Sequence, residues 1–241
     1  MIQSRQNKWI RRVRRALDRH DEEIVIEGPK MISDATRLGW KPLVVLEDQA
    51  RVTRRDDSLS VESRLFSEIS STTTSQGVLA LFPRPDSTVD DLLEFAPRRL
   101  VALDGVQDPG NVGTIIRLCA AFGACGIVRL PGTADPWGDK AIRASAGAVL
   151  AVPVIESTID GLIEFAREED LSIFAASTDS TNTTIPPDSD VLIVLGSEGR
   201  GPSEQWHRVG HGIRIPMSDR VDSLNVAAAG AILLSRLYDG R

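Results

Sequence analysis

The chain has few of the residues and patterns that define several common classes of protein. Its two cysteines, Cys119 and Cys125, lie six positions apart with no second pair and no histidine nearby. That spacing matches neither a disulfide framework nor a zinc site, so we expect no metal and two buried thiols in a reducing compartment such as the cytoplasm. No apolar run approaches the roughly 18 residues that a membrane-spanning helix requires, so we expect no membrane contact.

The signatures of common nucleotide-binding and hydrolytic enzymes are also missing. There is no Gly-x-x-x-x-Gly-Lys-Ser/Thr loop, and the stretch GSEGRG at 196–201 has Glu198 where a dinucleotide-binding fingerprint needs its second glycine. There is no Gly-x-Ser-x-Gly, and the three histidines stand in no triad context. A conventional general base is therefore hard to name from the sequence.

Basic residues are outnumbered by acidic ones over the whole chain but are concentrated near its N-terminus. With 28 basic and 34 acidic residues the net charge is −6, yet residues 1–19 hold seven basic residues and one acidic residue. Apolar residues recur there at helical spacing, which predicts an amphipathic helix. Its basic face could bind phosphates, could be the solvated side of a packing helix, or could belong to a mitochondrial presequence. On the first interpretation the candidate RNA-binding residues are Arg5, Lys8, Arg11, Arg12, Arg15 and, beyond this segment, Lys30.

Strand and helix patterns alternate along the rest of the chain. Residues 22–82 contain predicted strands and helices, including a helix around Val61–Ile69, and a stretch rich in Pro, Ser and Asp predicts a linker at 83–98. Regular alternation from residue 99 predicts an α/β fold with a parallel sheet covered on both faces. The domains expected are thus 1–82 and 99–241. Within the second domain the predicted strands lie at 100–106, 126–131, 151–156, 171–177, 191–197 and 212–217, and the helices at 111–123, 139–148, 158–170, 202–207 and 225–238.

Three polar, glycine-rich loops follow predicted strands, at 104–113, 196–203 and 216–225. Because ligands of parallel sheets bind beyond the carboxyl ends of the strands, these loops form the candidate site. The polar and charged side chains of these loops, and one arginine on the helix that follows the first loop, can also be explained by structural roles alone. An asparagine in such a place is a good helix N-cap, an arginine on a helix commonly forms a surface salt bridge, and a glutamate in a turn is commonly solvated. The side chains concerned are Asn111, Arg117, Glu198, Ser223 and Asn225.

Together the three loops resemble the three motifs of the SpoU/TrmH class of SPOUT methyltransferases. The first motif, Asn-x-Gly-x-x-x-Arg, is matched by Asn111, Gly113 and Arg117. The second, Gly-x-Glu-Gly-x-Gly after an apolar strand, is matched by Gly196, Glu198, Gly199 and Gly201. The third, Ile-Pro-Met and then Ser-Leu-Asn before an Ala-rich helix, is matched by Ile215, Pro216, Met217, Ser223, Leu224 and Asn225. The match covers residues 99–241, and residues 1–82 resemble more loosely the L30e-like RNA-binding domain that many members carry.

The resemblance implies an enzyme that transfers methyl from S-adenosylmethionine to a ribose 2′-hydroxyl of structured RNA. Large-subunit, 23S-type rRNA is the first expected substrate and tRNA the second. The resemblance also implies a C-terminal trefoil knot and a homodimer. The catalytic residues it implies are Arg117, Asn111, Glu198, Ser223 and Asn225. The cofactor-binding residues it implies are Leu195, Gly196, Gly201, Ile215, Met217, Leu224 and Asn225.

Two other functions remain open at this point. Other SPOUT branches methylate a base, although the Asn-x-Gly-x-x-x-Arg and Ser-Leu-Asn motifs favour the ribose branch. A pure RNA-binding module of ribosomal type would explain residues 1–82 but would leave the three loops without a purpose. A catalytically weak RNA-binding ribosome-assembly factor is disfavoured because every motif residue is present.

Overall fold

The computed structural model describes residues 1–20, 22–51, 55–72, 74–93, 96–186 and 189–238, which fall into two compact units. The N-terminal unit comprises Met1–Pro85 together with Trp137–Ile142. The C-terminal unit comprises Asp86–Pro136 and Arg143–Arg241. Within the described ranges, no helix has the length and apolar character needed to span a bilayer.

The N-terminal unit is built on a four-stranded sheet in the order β1, β4, β2, β3. β4 is antiparallel to both β1 and β2, whereas β2 and β3 are parallel. Helix α1 buries Ile10, Val13 and Ala16 at a spacing of three, so the predicted amphipathic helix is confirmed. The elements are α1 (Lys8–Arg19), β1 (Glu23–Glu27), α2 (Pro29–Arg37), β2 (Val44–Asp48), β3 (Ser58–Val61), α3 (Ser63–Ser67) and β4 (Val78–Pro83).

The helix predicted around Val61–Ile69 is partly wrong. Val61 ends the strand β3, and the helix α3 occupies only Ser63–Ser67. The N-terminus extends the same edge of the sheet, because Ile2 forms a parallel bridge with Val61. A strand of four residues is too short to reveal its period in the sequence, and its pairing with distant residues decided its conformation.

The C-terminal unit contains the parallel sheet that the sequence predicts. Its six strands lie in the order β10, β8, β9, β5, β6, β7, and every neighbouring pair is parallel. The strands are β5 (Arg99–Asp104), β6 (Gly126–Arg129), β7 (Val154–Glu156), β8 (Ser172–Ala176), β9 (Val191–Gly196) and β10 (His211–Ile213). The remaining helices of the chain are α4 (Asp90–Leu93), α5 (Pro109–Ala121), α6 (Asp139–Ala144), α7 (Ile159–Glu168), α8 (Glu204–Val209) and α9 (Val226–Leu237).

The order of the strands places a switch point between β5 and β9. From β5 the chain adds β6 and then β7 on one side of the sheet. It then returns to the other side, where β8 comes first in the chain, β9 lies between β8 and β5, and β10 forms the edge. Both β5 and β9 are buried along their whole lengths, which explains their nearly uninterrupted apolar sequences. Open parallel sheets bind ligands where the strand order reverses, so the loops after β5 and β9 lie at the favoured position. The trefoil knot and the L30e-like character of the N-terminal unit stay predictions.

Two predicted elements of the second domain end earlier than the sequence suggests. The strand predicted at 212–217 ends at Ile213, and residues 214–217 form a loop. Pro216 has no N–H to donate to a strand ladder, which is consistent with that end. The helix predicted at 139–148 ends at Ala144, because Ala146 and Gly147 adopt φ values of 51° and 85° before a short 3₁₀ turn.

An ionic cluster joins the amino ends of β5 and β9. The Arg98 main-chain N–H and Nε donate to the two carboxylate oxygens of Asp190 at 2.7 and 2.8 Å, and the guanidinium also pairs with Glu169. Partial burial raises the pKa of Asp190, but the hydrogen bonds and charge of Arg98 outweigh burial and hold this pKa below its usual range. The ionised form of Asp190 is therefore the one that stabilises the fold.

We expect Asp190→Ala to lower the free energy of unfolding by about 2 kcal/mol at neutral pH, because a hydrogen bond to a charged group contributes about 1.5–3 kcal/mol. A folded-state pKa below the unfolded value of about 3.9 means that this stabilisation is complete above that pH and is lost as the pH falls. The difference in urea unfolding between wild type and variant should therefore shrink as the pH falls through the lowered pKa of folded Asp190. Glu164→Ala, at an exposed carboxylate on α7, should stay near wild type at every pH. A wild-type advantage over Asp190→Ala that did not change with pH would contradict this account.

Candidate active site

The polar turn after β9 folds back tightly on the end of its strand. Gly201 N–H donates to the Ser197 carbonyl at 2.8 Å, and the two residues form an isolated bridge. A Cβ on Gly196 would lie 1.9 Å from the main chain of Gly201 and of Pro202, so only glycine fits there. Gly201 itself has a φ of 68°. The turn therefore presents Glu198 at its tip in a conformation that its glycines make possible.

Asn111 lies at the start of α5, but it is not the residue that caps the helix. Asp108 is the N-cap, and its carboxylate accepts the Asn111 main-chain N–H at 3.0 Å. The interpretation of Asn111 as an N-cap is therefore wrong. Its side chain is left to bind elsewhere, and its Nδ2 donates to Glu198 Oε1 at 2.6 Å.

Asn225 is the N-cap of α9, as predicted, and it also reaches the first loop. Its Oδ1 accepts the main-chain N–H groups of Ala227 and Ala228 at 2.9 and 3.3 Å. Its Nδ2 is thereby directed away from the helix and donates to Asn111 Oδ1 at 3.0 Å. A continuous series of hydrogen bonds, called the amide chain below, thus runs from the α9 N-terminus through Asn225 and Asn111 to Glu198.

A pocket of about 400 Å³ lies at the carboxyl ends of β8 and β9. This volume is within the range of small-molecule sites. Eight of the predicted catalytic and cofactor-binding residues line it, namely Leu195, Gly196, Glu198, Gly201, Ile215, Met217, Ser223 and Leu224. The early end of β10 leaves Ile215 and Met217 in a loop, where they can line a cavity. Three predicted site residues, Asn111, Arg117 and Asn225, do not line the pocket, although the amide chain links two of them to Glu198.

The sequence interpretation missed part of the pocket wall. Outside the three predicted loops the lining residues are Ala176, Ser177, Thr178, Asp179, His207, Ile213, Val226 and Ala229, whereas Ser197, Gly199, Arg200, Pro202 and Asp222 line the pocket from within those loops. Those at 176–179 follow the strand β8, so the rule that ligands bind beyond carboxyl ends could have found them. His207 comes from α8, whose side of the pocket depends on tertiary packing and carries no signal in the sequence.

Arg117 lies further along α5 than Asn111 and its side chain is exposed. The described part of the chain offers it no hydrogen bond and no ion pair, so the structure does not support a surface salt bridge. An exposed guanidinium without a protein partner is available to an external anion.

The predicted RNA-binding residues of the N-terminal unit are largely engaged with neighbouring carboxylates. Arg5 pairs with Glu68 and Arg12 with Glu23, while Arg15 lies 3.1 Å from Glu22 and Lys30 lies 3.3 Å from Asp34. Lys8 stacks 4.8 Å from the ring centre of Trp9, and the exposed Arg11 has no ion pair in the described ranges. The basic face is therefore partly neutralised within its own unit. Among the described residues there is also no group of three or more potential metal ligands.

Comparison with known proteins agrees with this geometry. The sequence model of the SpoU rRNA Methylase family matches residues 98–235. The 23S rRNA (guanosine(2553)-2'-O)-methyltransferase RlmP of Bacillus subtilis is 26% identical over 221 residues, covering 88% of this chain and 87% of the relative. The 23S rRNA (adenosine(1067)-2'-O)-methyltransferase of Streptomyces laurentii is 34% identical over 149 residues, covering 60% and 55%. The AdoMet-bound rRNA methyltransferase of Sinorhizobium meliloti has a TM-score of 0.86 and 31% identity, covering 98% of this chain and 96% of that structure.

The parallel sheet, the pocket beyond its strands and the joined motif residues define an RNA methyltransferase of the SPOUT type. Because the family model matches more than half of the chain, the protein belongs to the SpoU rRNA methylase family. This confirms the predicted class, the RNA substrate, the transfer of methyl to a ribose 2′-hydroxyl and S-adenosylmethionine as the cofactor. The role of each site residue stays a prediction.

The direction of the amide chain can be tested by exchanging a donor and an acceptor. In Asn111→Asp a carboxylate faces the Glu198 carboxylate at the place where the native Asn111 Nδ2 lies 2.6 Å from Glu198 Oε1. The hydrogen bond is replaced by repulsion between two carboxylates, so methyl transfer should fall on the order of a hundredfold. Adding Glu198→Gln restores the bond with its polarity reversed, and the new carboxylate at position 111 still accepts from Asn225. The double variant should therefore be as active as Glu198→Gln alone.

Single-turnover rates of wild type, both single variants and the double variant measure this coupling. Glu198→Gln alone is the matched control, because its amide oxygen keeps the bond to Asn111 while the charge is lost. A double variant slower than Glu198→Gln by the same factor that separates Asn111→Asp from wild type would show that the bond between positions 111 and 198 does not matter to the reaction.

Proposed function

We propose that this protein methylates a ribose 2′-hydroxyl in large-subunit, 23S-type rRNA, with tRNA as the second candidate substrate. The observation that carries the proposal is the amide chain beside the pocket, which joins all three motifs at the switch point of the sheet. Two relatives, RlmP and the Streptomyces laurentii enzyme, are named as 23S rRNA 2′-O-methyltransferases, which favours rRNA over tRNA.

The pocket suits S-adenosylmethionine in both shape and chemistry. That cofactor has a flat aromatic base, whose faces pack well on apolar side chains, at one end and charged groups at the other. Leu195, Ile215 and Leu224 give the pocket an apolar side, and Asp179 and Arg200 give it charged groups. The cofactor would be held by Leu195, Gly196, Gly201, Ile215, Met217 and Leu224, with Asn225 acting through the start of α9 rather than from the pocket wall, and would supply a methyl group on a good sulfonium leaving group.

The protein's contribution to the reaction is to align the ribose and stabilise the oxygen that loses its proton. We assign Arg117 to hold an RNA phosphate and to stabilise the developing alkoxide, because its guanidinium is exposed and offers N–H donors but no acceptor for a proton. Glu198 and Asn111 orient the ribose or Arg117. Ser223 and Asn225 shape the third loop against the amide chain.

The N-terminal domain, which the sequence places at residues 1–82, would supply RNA recognition. Arg11 is the strongest candidate of the basic face, because it is exposed and has no ion pair within the described residues. The other candidates, Arg5, Lys8, Arg12, Arg15 and Lys30, would have to exchange their present partners for phosphates. An unchanged affinity of Arg11→Glu for rRNA in a filter-binding assay would argue against this assignment.

We also propose a cytoplasmic, metal-independent homodimer. The apolar surface of α9 extends beyond the side that the protein itself buries. Ala231 and Ile232 are half-buried, and Tyr238, directly after the helix, is 43% exposed. An apolar surface of this kind on a helix is usually covered by a partner. Sedimentation velocity at micromolar concentration measures the state directly, and a monomer would count against the dimer.

The substrate proposal is tested with radiolabelled S-adenosylmethionine and unmodified total rRNA and tRNA. We expect label in 23S-type rRNA only, at one nucleotide whose alkaline hydrolysis is blocked by a 2′-O-methyl group. The reaction should proceed in EDTA. Label in tRNA alone, or on a base, would overturn the assignment of substrate or of position.

The electrostatic role of Arg117 predicts different effects of two substitutions. Arg117→Lys keeps the positive charge without the planar fork and should retain some activity, whereas Arg117→Ala should lose about 3 kcal/mol of transition-state stabilisation or more. Both variants should bind cofactor normally in isothermal titration calorimetry. Single-turnover rates of wild type should rise with pH without a plateau near neutrality. A plateau near pH 7 that vanished in both variants would mean that Arg117 belongs to a true proton-accepting unit.

A further inference from the structure

Asp104 is a buried carboxylate that none of the three motifs includes. It ends β5 directly opposite Gly196, the last residue of β9, and only 6% of its surface is exposed. Its Oδ2 accepts two hydrogen bonds, from the Ser203 main-chain N–H at 2.7 Å and from Trp206 Nε1 at 3.1 Å. Among the described residues its partners are therefore neutral donors. Burying a charge for two neutral donors is costly, which suggests that the position has a use beyond stability.

The main chain around Asp104 is braced on both sides by one residue. The Thr133 hydroxyl donates to the Leu103 carbonyl at 2.6 Å and accepts the Gly105 N–H at 3.0 Å. Thr133 is itself only 4% exposed. Gly105 has a φ of 71°, and a Cβ there would lie 3.9 Å from the Ser197 side chain. The end of β5 is thus a fixed point against which the turn after β9 packs.

Both ends of that turn are fixed relative to Asp104. The turn starts at Gly196, which pairs with Asp104 in the sheet, and it ends at Ser203, whose N–H the carboxylate holds. Ser203 is the N-cap of α8, and the bond that Asp104 accepts is from the main-chain N–H of Ser203 itself, directly before the helix. Trp206, fully buried, anchors α8 to the same oxygen. Glu198 lies between these two fixed ends.

We propose that Asp104 is a positioning residue for methyl transfer, which clamps the Ser197–Pro202 turn so that Glu198 faces Asn111 and the glycine rim of the cofactor pocket keeps its shape. The inference rests on the proposed function for its consequence in catalysis. Its structural part concerns only the turn and can be measured without any substrate.

The test compares three variants with wild type. Asp104→Ala removes the acceptor, while Asp104→Asn keeps an oxygen of similar position and loses the charge. Asp190→Ala is the matched control, because Asp190 also accepts a main-chain and a side-chain N–H, but at the opposite end of the same two strands. The readouts are hydrogen exchange of peptides covering 196–206 in the free protein, the Kd of S-adenosylmethionine by calorimetry, the single-turnover rate and the thermal midpoint.

We expect Asp104→Ala to speed exchange in 196–206 and to weaken cofactor binding by about tenfold or more, since it leaves two donors without an acceptor. Asp104→Asn should stay within about threefold of wild type in Kd, because its amide oxygen can accept both bonds. Asp190→Ala should lower the thermal midpoint while leaving the exchange of the turn and the Kd unchanged.

Three outcomes decide the matter. If folded Asp104→Ala has the hydrogen exchange and the Kd of wild type, the clamp is overturned. It is also overturned if Asp190→Ala changes the exchange of 196–206 and the Kd as much as Asp104→Ala does, because that result would show a general loss of stability. Failure of wild type itself to bind S-adenosylmethionine would instead refute the proposed function, and the exchange data would still test the clamp. If Asp104→Ala does not fold, the folded variant Asp104→Leu or Asp104→Asn with Trp206→Phe is measured instead, and wild-type exchange and Kd in a folded variant that lacks the acceptor or one of its donors would overturn the proposal.

Discussion

The parallel pairing of β5 with β9 is the constraint from which the site follows, because it brings two distant stretches of chain to the same edge of the sheet. Asp104 lies opposite Gly196, so the first and second motif loops leave the sheet side by side. Each strand is buried throughout, and neither can shift its register without exposing apolar side chains or burying polar ones. The position of Glu198 relative to α5 is therefore set by the core of the sheet as much as by the loop that carries it.

The amide chain converts this shared edge into a defined set of donors and acceptors. An asparagine side chain can present either its oxygen or its nitrogen in a given direction, and here the α9 main-chain N–H groups determine which. The orientation of Asn225 then determines that of Asn111, and Asn111 offers a donor to the Glu198 carboxylate. Each loop is too short and polar to hold such an arrangement alone, so the three motifs specify one another.

The two units use charge in different ways. On α1 of the N-terminal unit most of the arginines have acidic neighbours, which reduces the long-range attraction that the sequence suggests. In the C-terminal unit Arg117 stands exposed and without a partner among the described residues. An unpaired guanidinium near a site binds an anion without first breaking a protein contact, so RNA contact near the pocket requires less rearrangement than contact along α1.

The sequence by itself determined the α/β class, the parallel sheet, the amphipathic α1 and the three motif loops, because these depend on local periodicity and on short motifs. It did not determine that Asp108 rather than Asn111 caps α5, since two capping residues three positions apart are both plausible until the helix start is known. It did not reveal β3 or the early ends of β10 and α6, whose conformation depends on distant partners, and it did not place His207 of α8 in the pocket wall. Only the tertiary structure decided that Asp104, Ser203 and Trp206 meet, because residues about 100 positions apart become neighbours through strand order alone, and strand order leaves no trace in the local sequence.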